Sequence, residues 1–247
     1  MNDRHTQDIY MHNLFIVIMG KTSIDAHMED YDELMDRFVS LLTIIRHDMK
    51  NKLQIVVGYL QLLEESDLSA DHLILVEKIL QTCQKSHNIV DKVGIFKDIL
   101  LAETPAPEKL SVHINNAVAS HRDKADDIEI IIESKLCDEE VYGFHFLEEL
   151  FANLVENAII HSRSSKIIIS VDQRDNDIVV TVEDDGKGIP RESWDSVFDP
   201  GYRGSGSTGS GLGLYIVETI VNKCGGSIKL KESTMGGARF DITLRRA

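Results

Sequence analysis

The chain has 247 residues, with 26 Lys and Arg against 41 Asp and Glu, a formal net charge of −15 when the histidines are neutral. That balance argues against a duplex nucleic-acid binder, which needs clustered positive charge, and disfavours adhesion to anionic lipid. At 43% apolar and 27% charged residues the composition is that of a folded chain, long enough for one large domain or two ordinary ones.

Residues 1–28 form a short segment whose role the sequence does not define. Its longest apolar run, residues 14–19, suits a short strand or a helical turn and falls well short of the roughly 20 residues of a spanning helix. Asp3, Arg4, His5 and Asp8 leave no signal-peptide pattern, so no membrane insertion and a cytoplasmic location are expected. Cys83, Cys137 and Cys224 are far apart and lack metal-ligand spacing, which fits free thiols in a reducing compartment. Gly20-Lys21-Thr22 echoes the end of a P-loop, but Phe15 stands where the upstream glycine is required.

Next, Leu34, Phe38, Leu41, Ile45, Met49, Leu53, Val56, Leu60 and Leu63 recur in steps of three and four, which predicts one long amphipathic helix. Residues 64–69 break it. Ser69 or Asp71 then caps a second helix carrying Leu73, Val76, Leu80, Cys83, His87, Val90 and Ile99 or Leu100. The result, over 29–102, is a helical hairpin whose apolar seams cannot bury themselves well alone. Pairing with a second copy into a four-helix bundle is the economical solution.

Residues 103–108, Glu-Thr-Pro-Ala-Pro-Glu, read as a stiff linker. From 109 to 247 the pattern turns mixed. Helices are expected at 111–121, 146–161 and 212–224, and strands at 128–132, 166–171, 178–183, 228–230 and 240–244. Strands in runs with helices collected on one side make this an α+β chain ending in an α/β sandwich.

Three features of that second part carry chemistry. Asn153 and Asn157 stand at i, i+4 on an otherwise apolar helix, where asparagine is a poor choice without a polar partner. An amide oxygen is also a suitable hard ligand for Mg²⁺. Asp184 then ends a strand just before Gly186 and Gly188, so a carboxylate there can accept from an exocyclic amine while the glycines admit a flat ring. Finally, six of the 16 glycines fall between Gly201 and Gly213, in a loop running into an apolar helix, where backbone N–H groups can meet an anion. Within it Gly204, Gly206 and Gly209 satisfy the dinucleotide fingerprint, but Phe198-Asp199-Pro200-Gly201 precedes them where a strand is required.

In order, Asn-x-x-x-Asn, Asp-x-Gly-x-Gly-Ile, Phe-Asp-Pro-Gly-Tyr-Arg-Gly and Gly-x-Gly-Leu-Gly-Leu resemble the N, G1, F and G2 boxes of sensor histidine kinases. Residues 109–247 resemble that family's Bergerat-type (GHKL) ATP-binding domain, and Arg46-His47-Asp48-Met49-Lys50-Asn51 resembles its H-box, of an H-D-x-x-N subtype. The resemblance implies an ATP-dependent protein-histidine kinase, a homodimer whose partner is the receiver domain of a response regulator. His47 would attack the γ-phosphate, Asp48 would hold one ring nitrogen, and Asn51 would position water for regulator dephosphorylation. ATP and Mg²⁺ are the implied cofactors, with Asn157 on the metal and Asn153 beside it. Asp184 would read adenine, Gly186 and Gly188 would allow its approach, and Phe198 would anchor the lid. Arg203, Gly209, Gly211, Leu212 and Gly213 would meet the phosphates. The chain departs from the family at Ile160, where Lys or Arg is frequent. Asn153 stands where ATP-hydrolysing relatives carry a glutamate base. A phosphatase-biased or nucleotide-binding dimeric scaffold is the alternative.

Overall fold

The computed structural model describes residues 28–66, 68–122, 128–134, 139–204 and 209–247. The expected element at 14–19, the P-loop echo, Cys137 and residues 205–208 of the glycine-rich loop lie outside them. The chain divides into two compact units, Met1–Ile44 and Ile45–Ala247. The described part of the first is helical from Met28 onward.

Helix α1 spans Met28–Glu64 and α2 spans Ala70–Leu101. Between the two expected caps the structure uses Ser69, whose hydroxyl accepts from the His72 N–H at 3.4 Å. Below the turn, Leu60, Val76 and Cys83 close a small core flanked by Leu53, Val57, Leu68 and Leu80. Lys50 on α1 reaches Asp91 on α2 at 3.2 Å. Much apolar surface faces outward: Ile45 and Met49 of the expected seam, and Ile55, Tyr59, Leu62, Ile74 and Leu75 outside it, are all exposed. Among the described residues no helix is long and apolar enough to cross a membrane.

The reading of 103–108 as a linker needs correction. Ala106–Lys109 is a strand, β1, paired antiparallel with β3, Glu140–Gly143, which the sequence did not signal. A two-stranded sheet has only edges, so Pro107 fits there despite its missing N–H. Between them lie helix α3, Leu110–Ala119, and strand β2, Glu129–Ser134.

Helix α4, Leu147–Glu156, does not continue as an α-helix to 161. It widens at the second asparagine into a π-helical turn, Asn157–Ser162. The Ala158 carbonyl there takes the N–H of Arg163, five residues on, and the N–H and hydroxyl of Ser164. Arg163 closes the turn in the left-handed region, at φ 54°.

The mixed sheet follows the order β2-β4-β5-β7-β6, with β4 Lys166–Arg174, β5 Asp177–Asp184, β6 Ser227–Glu232 and β7 Ala238–Arg245. Only the β2–β4 pair is parallel. Strand alternation then sorts the side chains. Ile167, Ile169 and Val171 from β4, Ile178, Val180 and Val182 from β5, and Phe240, Ile242 and Leu244 from β7 share one buried core with the helices. That core takes Ile114 and Ala117 from α3, Leu147, Leu150, Phe151 and Leu154 from α4, and Ile216, Val217 and Ile220 from α5, Gly213–Lys223. The fold is α+β: a helical hairpin followed by helices packed on a mixed sheet.

Cys83 and Cys224 are free and buried, and burial pushes the Cys224 thiol up to about 12. A thiol so far from its thiolate is a packing residue.

Candidate functional site

Period-two alternation explains why Asp184 is where it is. Residues 178, 180, 182 and 184 of β5 share a face, and the register sets Asp184 opposite Ile167. A carboxylate is thereby carried to the end of the core-facing side and left only 4% exposed. Ser162 Oγ donates to its Oδ1 at 2.6 Å, the Gly186 N–H donates to the same oxygen at 2.8 Å, and the Ala238 N–H also reaches the carboxylate. Burial nevertheless raises its pKa above the ordinary carboxylate value. A carboxylate has about four lone-pair sites, so three donors leave room for one more.

The glycines beside it are required by space. A Cβ on Gly186 would collide with Ser162, and Gly188 holds φ +68° against the backbone of Gly237. The neighbouring Asp185 is turned the other way. It accepts from the Ser165 hydroxyl and N–H and from the Lys166 N–H, and these hold its pKa down.

The two asparagines differ in state. Asn153 is 2% exposed, with both donors and one lone pair of its oxygen engaged. Its Nδ2 donates to the Glu149 carbonyl at 2.8 Å and to Glu149 Oε1 at 3.1 Å, while its Oδ1 accepts from Lys92 Nζ at 2.9 Å. Burial raises the pKa of Glu149, against the pull of the Lys92 charge. Asn157, at the start of the π-helical turn, keeps a buried Nδ2 without a hydrogen-bond partner. An unclaimed N–H donor suits an acceptor brought by a ligand, such as a phosphate or water oxygen. Among the described residues no group of three His, Cys, Asp or Glu side chains stands ready for a metal. The oxygen of the Asn157 amide is of the hard type Mg²⁺ takes, an ion that needs few protein ligands and completes its shell with phosphate oxygens and water.

On the lid side, the ring of Phe198 meets Phe240 edge-on at 6.4 Å and packs on the core. Arg203 is exposed and donates to the Ser210 carbonyl at 3.4 Å. Gly211 holds φ +74°, a Cβ there would lie 2.7 Å from the Gly201 carbonyl carbon, and its own carbonyl accepts from the Gly201 N–H. Gly209 and Gly213 bracket the entry to α5, while the Leu212 N–H is given to Ser210 Oγ at 3.3 Å. The π-helical turn that begins at Asn157 is tied through Ser162 to Asp184 at the end of β5, the Gly186 N–H just after β5 joins the same carboxylate, and Gly213 at the entry to α5 lies beside Asn153.

His47 lies on the exposed side of α1, its side chain 73% exposed. Asn51 Nδ2 is 3.2 Å from Nδ1 and 3.4 Å from Nε2 of the ring. Asp48 Oδ1 stands 3.8 Å from Nδ1, at ion-pair range and beyond a hydrogen bond. Asn51, one helical turn away, is the residue that touches the imidazole.

Sequence reasoning missed Ser162 and Lys92. The serine is carried to Asp184 by a π-helical turn that leaves no periodic signature, and the lysine comes from a distant helix. Neither was visible in local spacing.

Residues 144–247 match the family described as histidine kinase-, DNA gyrase B- and HSP90-like ATPase. Over its whole length the chain resembles sensor histidine kinase YcbM of Bacillus subtilis, at 27% identity over 99% of this chain and 82% of the relative. It also resembles signal transduction histidine-protein kinase ArlS of Staphylococcus aureus, at 26% identity over 90% of this chain and 55% of the relative. Among solved structures, full-length ShkA in complex with AMPPNP shares the fold at TM-score 0.68 and 21% identity, over 84% of this chain and 46% of that one. The C-terminal part of the chain thus matches that ATPase family, and the chain as a whole is similar to sensor histidine kinases in sequence and shares their fold.

Proposed function

We propose that the protein uses Mg·ATP to phosphorylate His47 and passes the phosphoryl group to an aspartate of a response-regulator receiver domain. The observation that carries this reading is His47 itself, a freely exposed imidazole with a carboxamide at its edge, in the same chain as an ATPase-type site. In the transfer, the lone pair of one ring nitrogen forms the N–P bond as the bond from Pγ to the bridging oxygen breaks and ADP departs. Asp48 stabilises the charge that develops on the ring, and Asn51 orients it. Asp184 accepts from the adenine amine with its remaining capacity, and Gly186 and Gly188 let the base lie against the backbone. Mg²⁺, when bound, neutralises charge between the phosphates, and Asn157 is the side chain that would hold it.

Protein groups contribute to phosphoryl transfer mainly by positioning and charge. A homodimer supplies the surface that covers the exposed hairpin residues, a reading supported by Tyr59 at 66% and Leu62 at 63% exposure. Asn51 within reach of His47 also supports a second activity, hydrolysis of the regulator's phosphoaspartate with water held by the amide. A phosphatase-biased form with weak kinase activity is favoured by two observations: Ile160 presents an exposed apolar side chain three residues beyond Asn157, and Asn153 is already held by Lys92 and Glu149.

Incubation with γ-labelled Mg·ATP tests the reading. Acid-labile, alkali-stable label on the wild type that disappears in His47→Ala is the expected result. Label persisting in His47→Ala overturns the assignment of the acceptor. Nucleotide binding without label, together with turnover of a phosphorylated receiver domain, establishes the phosphatase-biased form instead.

A further inference from the structure

We propose that Lys92, on hairpin helix α2, serves the triphosphate of the nucleotide site: the phosphoacceptor hairpin lends the ATP-binding domain a positive charge. The inference rests on reading the site as one for ATP, and it concerns a residue outside every sequence motif.

Lys92 Nζ is 2.9 Å from Asn153 Oδ1 and 3.3 Å from Glu156 Oε2, and its side chain is only 17% exposed. A Cβ built on Gly213 would lie 3.0 Å from Asn153 Oδ1 and 3.7 Å from Lys92 Nζ, so the ammonium stands beside the first residue of α5. Its approach is fixed by packing. One helical turn on, Phe96 meets Tyr215 of α5 with ring centroids 5.8 Å apart, and Ile95 and Ile99 join the core of the sheet domain. The lysine is therefore held at the site by the helix that carries it.

Charge accounting gives it a purpose. The site presents Glu149, Glu156 and Asp184, and a nucleoside triphosphate adds several further negative charges. The π-helical turn offers apolar Ile160 beyond Asn157, and Arg203 is exposed and turned to the Ser210 carbonyl. Lys92 is the cation that touches both Asn153 and Glu156. A triphosphate arriving at α5 competes with the Glu156 carboxylate for the ammonium. Lysine, a point charge with three rotatable donors, exchanges one partner for the other without moving its helix. Nucleotide occupancy and the seating of the hairpin are thereby linked through one side chain.

Calorimetric titration of the full chain with Mg·AMPPNP, ADP and adenosine tests this. Lys92→Met is expected to weaken AMPPNP by about tenfold, the size of one lost charge-assisted hydrogen bond, and ADP by less, while leaving adenosine within about twofold. Lys92→Arg should recover most of the AMPPNP affinity, and Glu156→Gln should tighten AMPPNP by freeing the ammonium. Equal losses for adenosine and AMPPNP overturn the proposal in favour of a packing role. So does unchanged or improved AMPPNP binding in Lys92→Met, which would make the lysine a clamp on Asn153. A wild type that binds none of the three overturns the ATP reading itself, and Lys92's role falls with it.

Discussion

In the sheet domain, apolar residues of β4, β5 and β7 close against α3, α4 and α5 within one chain, and Leu147, Leu150, Phe151 and Ile167 are completely sealed. In the hairpin, Leu60, Val76 and Cys83 close while Ile45, Met49, Tyr59, Leu62 and Ile74 face outward. The two regions follow the same rule of amphipathic patterning and reach different ends. A sheet covered by three helices completes its own interior. Two helices side by side have a seam left over, so the hairpin's stability depends on what else covers it.

Substitutions sharpen that contrast, and the largest effect belongs to the sheet domain. Phe151→Ala should cost about 3–5 kcal/mol of its stability, read by chemical denaturation. Leu60→Ala, in the small hairpin core, should cost about 2 kcal/mol, near the lower end for such truncations, and leave the sheet domain's transition where it was. A single shared transition displaced equally by both changes would break the distinction. Smaller still, Tyr59→Ser with Leu62→Ser should change single-chain stability by only about 0.5 kcal/mol. The same pair should raise the concentration at which the dimer dissociates in analytical ultracentrifugation. A wild type that stays monomeric at every concentration would refute the second-copy reading.

The subtlest effect is on pH. Burial raises the pKa of Asp184 in the folded chain, so between its ordinary and raised values the folded state holds a proton the unfolded chain has lost. Its contribution to stability therefore falls as pH rises through that window. If Asp184 accepts from adenine as proposed, nucleotide binding should move the opposite way and weaken as pH falls through the raised value. Ser162→Ala removes a hydrogen bond that lowers the pKa, so the acid limb of AMPPNP binding should shift to higher pH. A shift to lower pH, or none, would deny Ser162 that role.

Much of the site was legible because its residues lie close in sequence and carry strong local constraints. Asp184 ends an alternating strand, and Gly186 and Gly188 stand where neighbouring backbone leaves no room. The two helices of the hairpin were legible from periodicity, and the capping preference narrowed the second start to Ser69 or Asp71. What escaped depends on distant pairing. β3 is four residues long and becomes a strand by pairing with β1, which overlaps the 103–108 stretch whose two prolines suggested a linker. The π-helical turn begins inside a run with good helical periodicity, and what reveals it is the set of donors converging on the Ala158 carbonyl. Asn153 and Asn157 look alike in sequence, and only the arrival of Lys92 from α2 separates a satisfied amide from an open one.

That small two-stranded sheet has an engineering consequence. β3 pairs with β1 through Ala106–Gly143, while on its other side Val141 bridges Arg246 and the Ala247 N–H donates to the Glu140 carbonyl at 2.9 Å. Entry to and exit from the sheet domain are thus tied to the same four residues. A short artificial loop can join residue 247 to the start of β1, allowing circular permutation with new ends opened elsewhere, such as the Asp175-Asn176 hairpin turn. A fluorophore fused after Ala247 would sit at the Lys109 end of β1, where α3 begins, well placed to report on that junction.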